Sequence, residues 1–134
     1  LSLPIPEKFH DLLTRPLLCG LTTLNPDGQP HSVPVWFDYD GTHIRINAPA
    51  ATKKARNLEK DSRLVLLVLS PENPGHWIEV QGRVSEVRDH DQGAWEHINK
   101  LSERYTGNPV YQGWGNSAQN RRMYIIEAVK INGN

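Results

Sequence analysis

Apolar positions along this chain change period several times, and each change marks an element. From Pro6 to Leu13 the residues Phe9, Leu12 and Leu13 fall on one side of a short helix, which Pro16 ends because it has no N–H to continue the ladder. The period then becomes that of strands. Leu17 to Leu24 is apolar and threonine-rich, Asn25-Pro26-Asp27-Gly28 is a turn, and Gln29 to Asp38 sets Val33, Val35 and Phe37 at alternate positions, so a hairpin is predicted. Pro30 and Pro34 cannot donate to a ladder, which confines them to an edge or bulge and predicts an interruption where that strand bends. After the turn Tyr39-Asp40-Gly41, Ile44 and Ile46 point one way and His43, Arg45 and Asn47 the other, a third strand over His43 to Asn47.

A short helix from Thr52 follows, packing through Ala51, Ala55 and Leu58. Arg63 to Ser70 is a near-continuous apolar strand of the kind buried on both faces, broken by Pro71-Glu72-Asn73-Pro74-Gly75. Trp77 to Val87 alternates again, with Gly82 inside it as a bulge or corner. Between Asp91 and Tyr105 the set Ala94, Trp95, Ile98, Leu101 and Tyr105 has helical spacing and reads as a core face, stopped by Gly107-Asn108-Pro109. Residues 108 to 122 form a long polar, glycine-rich loop carrying Tyr111 and Trp114, and Met123 to Val129 is a last strand. Six strands in hairpin order, bulged by Pro and Gly, predict an antiparallel sheet closed into a small barrel. A doubly wound parallel sheet would need a helix after almost every strand, and one crossover helix is available.

At 134 residues the chain fits one domain. Fifteen basic residues balance fifteen acidic ones, which argues against a general affinity for nucleic acid or an anionic membrane and makes any basic patch local. Cys19 is the single cysteine, so no internal disulfide forms; a reduced cytoplasmic setting is expected, and Cys19 reads as a small buried apolar group. No apolar run reaches the length of a membrane span, and Leu1-Ser2-Leu3-Pro4 lacks a signal-like pattern, although a chain opening on Leu1 leaves room for a removed leader. The six histidines have no spacing that would gather metal ligands and are expected to be solvated or structural, and no serine sits in a nucleophile-elbow setting.

The chemistry concentrates where the third strand runs into the basic helix. Lys53 and Lys54 occupy its first turn, where free amide N–H groups and the helix dipole already make the potential positive, at a cost of roughly 0.3–1 kcal/mol per misplaced cation. With Thr52 as a hydroxyl cap, the segment has the parts of a phosphate site. A solvated basic helix face is the plainer alternative.

Four ordered segments resemble one family. They are Leu21-Thr22-Thr23 with Asp27-Gly28-Gln29-Pro30 and Ser32-Val33-Pro34-Val35-Trp36-Phe37; Thr52-Lys53-Lys54-Ala55-Arg56-Asn57-Leu58; Val80-Gln81-Gly82-Arg83-Val84; and Leu101-Ser102-Glu103-Arg104-Tyr105-Thr106-Gly107. Together they resemble the split-barrel flavoproteins related to pyridoxamine 5'-phosphate oxidase, and within them the branch that uses the deazaflavin coenzyme F420. The resemblance implies a homodimeric split β-barrel with cofactor at the subunit interface and hydride transfer to or from a small conjugated organic substrate. It implies a phosphate grip at Thr52, Lys53 and Lys54, with Lys where the flavin enzymes carry Arg, and it matches Arg56, Asn57 and Leu58 to the deazaflavin pattern. Val33, Pro34, Val35 and Trp36 would lie along the ring edge, Asn47 and Ala48 would flank the phosphate, and Trp77 would stand near the cofactor. The ending Val129-Lys130-Ile131-Asn132-Gly133-Asn134 departs from the phosphate-binding tail of true pyridoxamine phosphate oxidases, so vitamin B6 oxidation is not expected. An FMN enzyme of the same family, a non-catalytic flavin carrier or sensor, and a purely structural barrel are the rival readings. No catalytic side chain is assigned.

Overall fold

A computed structural model describes residues 2–115 and 117–134; Leu1, and Asn116 within the expected 108–122 loop, lie outside the described residues. In chain order the elements are α1 (His10–Thr14, preceded by a 3-10 turn Glu7–Phe9), β1 (Cys19–Leu24), β2 (Pro30–Val35), β3 (Phe37–Tyr39), β4 (Ile44–Pro49), α2 (Lys53–Lys60), β5 (Arg63–Leu69), β6 (Trp77–Arg88), α3 (Ala94–Thr106) and β7 (Arg121–Gly133). Every ladder is antiparallel, in the order β2-β1-β5-β6-β7-β4-β3.

The expected antiparallel split barrel is present with seven strands in place of six, because the run from Gln29 to Asp38 is cut at Trp36. On one side of the cut β2 pairs with β1, and on the other β3 pairs with β4. These strands are the two edges of the sheet, yet a single residue joins them. Consecutive Cα atoms are about 3.8 Å apart, so the sheet has to curl until its edges nearly meet. Tyr105, from α3, fills the resulting seam: its hydroxyl accepts from Phe37 N–H at 3.2 Å and donates to Leu17 O at 2.6 Å. Backbone groups that no strand reaches are thereby satisfied.

Alternate side chains turn inward to form the core, including Leu21, Phe37, Ile46, Leu66, Ile78 and Ile126. Leu12 and Leu13 of α1 and Ala55 and Leu58 of α2 join the same cluster, as does Cys19. Gly28, at φ 88°, closes the β1–β2 turn where a side chain would be strained. The ladder between β6 and β7 shifts register between Gln81 and Gly82, so the glycine does mark a bulge.

Three expectations are corrected. Burial along β5 alternates, with Leu64, Leu66 and Val68 inside while Leu67 and Leu69 are 42% and 47% exposed; one chain covers only one face of this strand. On α3, Trp95 is half-buried and stacks on His90 at 5.4 Å, and Tyr105 serves the seam, so neither is plain core. Finally, β7 runs well beyond Met123–Val129 because it is paired on both sides, and ladder bonds to β6 and β4 carry its polar ends. Among the described residues no helix is long and apolar enough to cross a membrane.

Candidate functional site

The seam opens into a cleft of about 450 Å³. One wall is Pro34, Val35 and Trp36 with Leu18, another is Ile98 and Leu101 of α3, and Tyr111 and Ser117 close it from the following loop. The polar end gathers Asn47 and Pro49 of β4, Thr52 and Lys54 at the start of α2, and Arg121 at the start of β7. Register explains this convergence. Pro49 pairs with Arg121, so the chain leaving β4 toward α2 lies beside the first residue of β7.

Thr52 caps α2 as expected, its Oγ1 accepting from Ala55 N–H at 3.4 Å and donating to Pro49 O at 2.8 Å. No acidic residue follows in the first turn. Lys54 is half-buried, and burial first, then the charge of Arg121, pulls its ammonium below the ordinary lysine range. Arg121 is 5% exposed. Burial is again the largest influence, drawing its guanidinium below the usual value against an opposing pull from Tyr111. No carboxylate, imidazole or thiol lines the cleft among the described residues. Two desolvated cations facing one cavity without an acid, beside a helix amide end, form a site that an anion would stabilise.

Behind this pair runs a buried chain of hydrogen bonds. Arg121 Nε donates to Asn47 Oδ1 at 2.8 Å, and Asn47 Nδ2 donates to Ala94 O at 2.9 Å and meets His97 Nδ1 at 3.0 Å. His97 Nε2 faces Asp38 Oδ2 at 3.3 Å, off the line of a good hydrogen bond but close enough for attraction. Asp38 is held in turn by Arg45 through two bonds of 2.8 Å. Burial alone would raise the Asp38 carboxyl, but His97 and Arg45 outweigh it and hold it at about 2.

Of the residues expected at the site, Pro34, Val35, Trp36, Asn47, Thr52 and Lys54 meet at the cleft. Lys53 and Arg56 are exposed on α2 and do not line it. Asn57 is buried, donating to Thr23 Oγ1 at 3.1 Å and Asn25 Oδ1 at 3.0 Å, which ties α2 to the β1–β2 hairpin. Ala48 is in the core, and Val33 packs against it. Trp77 pairs with Leu69 and bonds through its backbone to Asn134, at the far end of β7 from Arg121 and outside this cleft. Sequence reasoning missed Arg121, which stands in a polar stretch with no motif, and the cleft roles of Tyr111 and Ser117. The Leu101–Gly107 segment proves largely architectural. Leu101 lines the cleft, Arg104 donates to Leu13 O and Arg15 O at the end of α1, and Tyr105 fills the seam.

Another cavity, of about 630 Å³, adjoins the first and shares Trp36 and Tyr111 with it; Ser102, Thr106 and the loop from Asn108 to Trp114 contribute its other walls. Trp36 stacks on Tyr105 at 5.1 Å and meets Tyr111 edge-on at 6.0 Å, so these rings divide the two spaces.

Together these elements make a curled antiparallel barrel with two cations gathered in a cleft at its seam. The family described as pyridoxamine 5'-phosphate oxidase matches residues 5–133, and the chain belongs to it. Among curated relatives, the F420H(2)-dependent biliverdin reductase of Mycobacterium tuberculosis (strain CDC 1551 / Oshkosh) is 37% identical over 76 residues, 55% of this chain and 53% of that protein. The match thus spans about half the length of that relative. A solved structure named F420 reductase superposes with a TM-score of 0.84 at 29% identity, covering 96% of this chain and 98% of that one. General Stress Protein 26 from Bacillus anthracis str. Sterne, at 18% identity and TM-score 0.66 over 93% of this chain and 89% of its own, shares the fold.

Proposed function

We propose that this protein is an F420-dependent oxidoreductase acting on a small conjugated organic substrate. The observation that carries the reading is the juxtaposition of Lys54 and Arg121 beside the α2 amide end, in a cleft that no carboxylate lines among the described residues. The similarity to the biliverdin reductase and the F420 reductase supports the choice of cofactor. Reduced F420, when bound, supplies a hydride from its deazaflavin ring. The chain's own part is binding, orientation and electrostatics. Lys54 and the first amides of α2, which Thr52 orients as the helix cap, would hold the phosphate, with Lys54 the main contact. Pro34, Val35 and Trp36 give the flat ring an apolar bed that excludes water, and the aromatic cavity beyond Trp36 and Tyr111 takes the flat substrate. Exposed Lys53, Arg56 and Lys60 lie outside the cleft on α2, suited to an extended acidic tail more than to the compact phosphomonoester of FMN.

The working unit is a homodimer with the cofactor at the interface. Exposed Leu67 and Leu69 on β5 and Val129 on β7, with Leu18 65% exposed at the mouth of the cleft, form an apolar surface that a second copy would cover. The reduced cytoplasm suits a chain whose one cysteine is free and buried.

Competitive titration with F420 and FMN at moderate salt, read by fluorescence, tests the cofactor. F420 is expected to bind more tightly and to weaken as salt rises; tighter FMN binding, or protein that purifies yellow, would move the reading to the flavin branch. A monomer in sedimentation with cofactor bound would refute the shared site.

A further inference from the structure

We propose that His97 is a positioning residue for the cleft: through Asn47 it fixes the Arg121 guanidinium so that its remaining N–H edge meets the same anion as Lys54. This rests on the reading above that the cleft holds the cofactor's phosphate.

An asparagine amide has two donors and one acceptor oxygen, and Asn47 has three partners for them. The Ala94 carbonyl can only accept, and Arg121 Nε can only donate, so the amide has one satisfied orientation. His97 completes it. With Nδ1 accepting from Asn47, the ring proton sits on Nε2, the nitrogen that faces Asp38. Asp38 favours this tautomer, and Arg45 holds Asp38 in place. Remove the His97 acceptor and one Asn47 N–H is left unmatched in a buried place, since Asn47 and His97 are 6% and 3% exposed. The amide keeps its orientation through Ala94 O, but on the donor side it is held at one point instead of two, so Asn47 Oδ1 is less firmly placed against Arg121 Nε.

Arg121 has little else to hold it. Nη1 donates to Ser117 O at 2.8 Å, and the guanidinium carbon lies 5.0 Å from the centre of the Tyr111 ring. Nε and Nη1 are spent on protein acceptors, which leaves Nη2 on a guanidinium that sits over Tyr111 and lines the cleft. Nη2 complements the point charge of Lys54, so an oxyanion with at least two free oxygens is held from two directions. Nothing in the helix-start motif encodes this second contact, because His97 and Arg121 come from α3 and β7.

The test is a double-mutant cycle on F420 affinity, read from F420 fluorescence, with His97→Leu, Arg121→Lys and the pair together. Each single change is expected to weaken binding about tenfold, the weight of one charge-assisted hydrogen bond. The double variant is expected to be no weaker than Arg121→Lys alone, since His97 acts through the guanidinium already lost. His97→Asn, which returns an amide oxygen to the place of Nδ1, is expected to bind within about threefold of the parent. Losses that multiply to about a hundredfold in the double variant, or His97→Leu binding like the parent, would overturn the proposal. If His97→Leu does not fold, Asn47→Ser takes its place in the cycle and has to show the same non-additivity. Lys54→Ala separates the two readings. Weaker binding there with an additive cycle sinks only the role of His97, whereas unchanged binding there removes the phosphate site and this inference with it. If the parent prefers FMN, the same cycle is read with FMN, whose phosphate offers the same oxygens.

Discussion

Lys54→Met is expected to make the free protein more stable and its cofactor complex weaker. Lys54 is the second residue of α2, in a first turn without an acidic side chain, and it is half-buried next to Arg121. Methionine keeps the length and the helix propensity of lysine and removes the charge. Relief of the helix-end repulsion alone is worth about 0.3–1 kcal/mol, and relief of the Arg121 repulsion adds to it. For a domain of this size, that part raises the melting temperature by roughly 1–4 °C. Binding moves the other way. Loss of one hydrogen bond from a charged donor to phosphate costs about 1.5–3 kcal/mol, or roughly 10- to 150-fold in affinity. Calorimetry of the free protein and F420 titration of the same preparation give both numbers. A lower melting temperature together with unchanged affinity would refute the reasoning, since it would make Lys54 a structural residue with a satisfied partner.

Acid stability is set in part by Asp38. Its ordinary value is 3.8 and its native value about 2, so its contribution is present above pH 4 and is lost as pH falls toward 2. That contribution is about 2.5 kcal/mol, and Asp38→Asn is expected to flatten the fall of the urea midpoint between pH 5 and 2.5; an equally steep fall in the variant would count against it. Gly82→Ala would bring a methyl group 2.6 Å from Glu127 O and 2.9 Å from Ile126 Cγ2. A loss of about 1–3 kcal/mol is expected in denaturant titration, and a variant as stable as the parent would mean that the bulge shifts freely. Cys19 is 1% exposed, and burial pushes its thiol up to about 12. Native protein at pH 8 is expected to resist iodoacetamide until it is unfolded, and labelling at the rate of a free thiol would contradict the packing.

Local signals carried most of the fold. The turn at Asn25–Gly28, the bulge at Gly82 and the caps of α2 and α3 are written in residues that have few other uses, and they stand where the sequence places them. The interruption of the run from Gln29 to Asp38 is legible in Pro30 and Pro34, but its place at Trp36 and the change of partner across it are not, because those show only when the two halves are paired. The outer face of β5 was misread for a related reason: Leu67 and Leu69 are as apolar as buried residues, and a pattern does not say whether the cover comes from the same chain. At the site, residues within one segment were legible and residues brought by register were not. Thr52 and Lys54 stand out beside a helix start. Arg121 reaches them through its pairing with Pro49, 72 positions away, and His97 reaches Arg121 only through Asn47.

The one-residue seam at Trp36 also limits how this scaffold can change. The residue whose backbone joins the two edges of the sheet also stacks its indole on the tyrosine that fills the gap and walls both cavities. Trimming it to admit a bulkier molecule would remove the ring that packs on Tyr105 at the seam, so diversification is channelled to the opposite wall. There the segment from Asn108 to Trp114 pairs with no strand and presents Val110 and Trp114 to solvent, at 51% and 89% exposure. New specificities can be tried in that stretch with little risk to the sheet, and libraries aimed at altered substrates belong there.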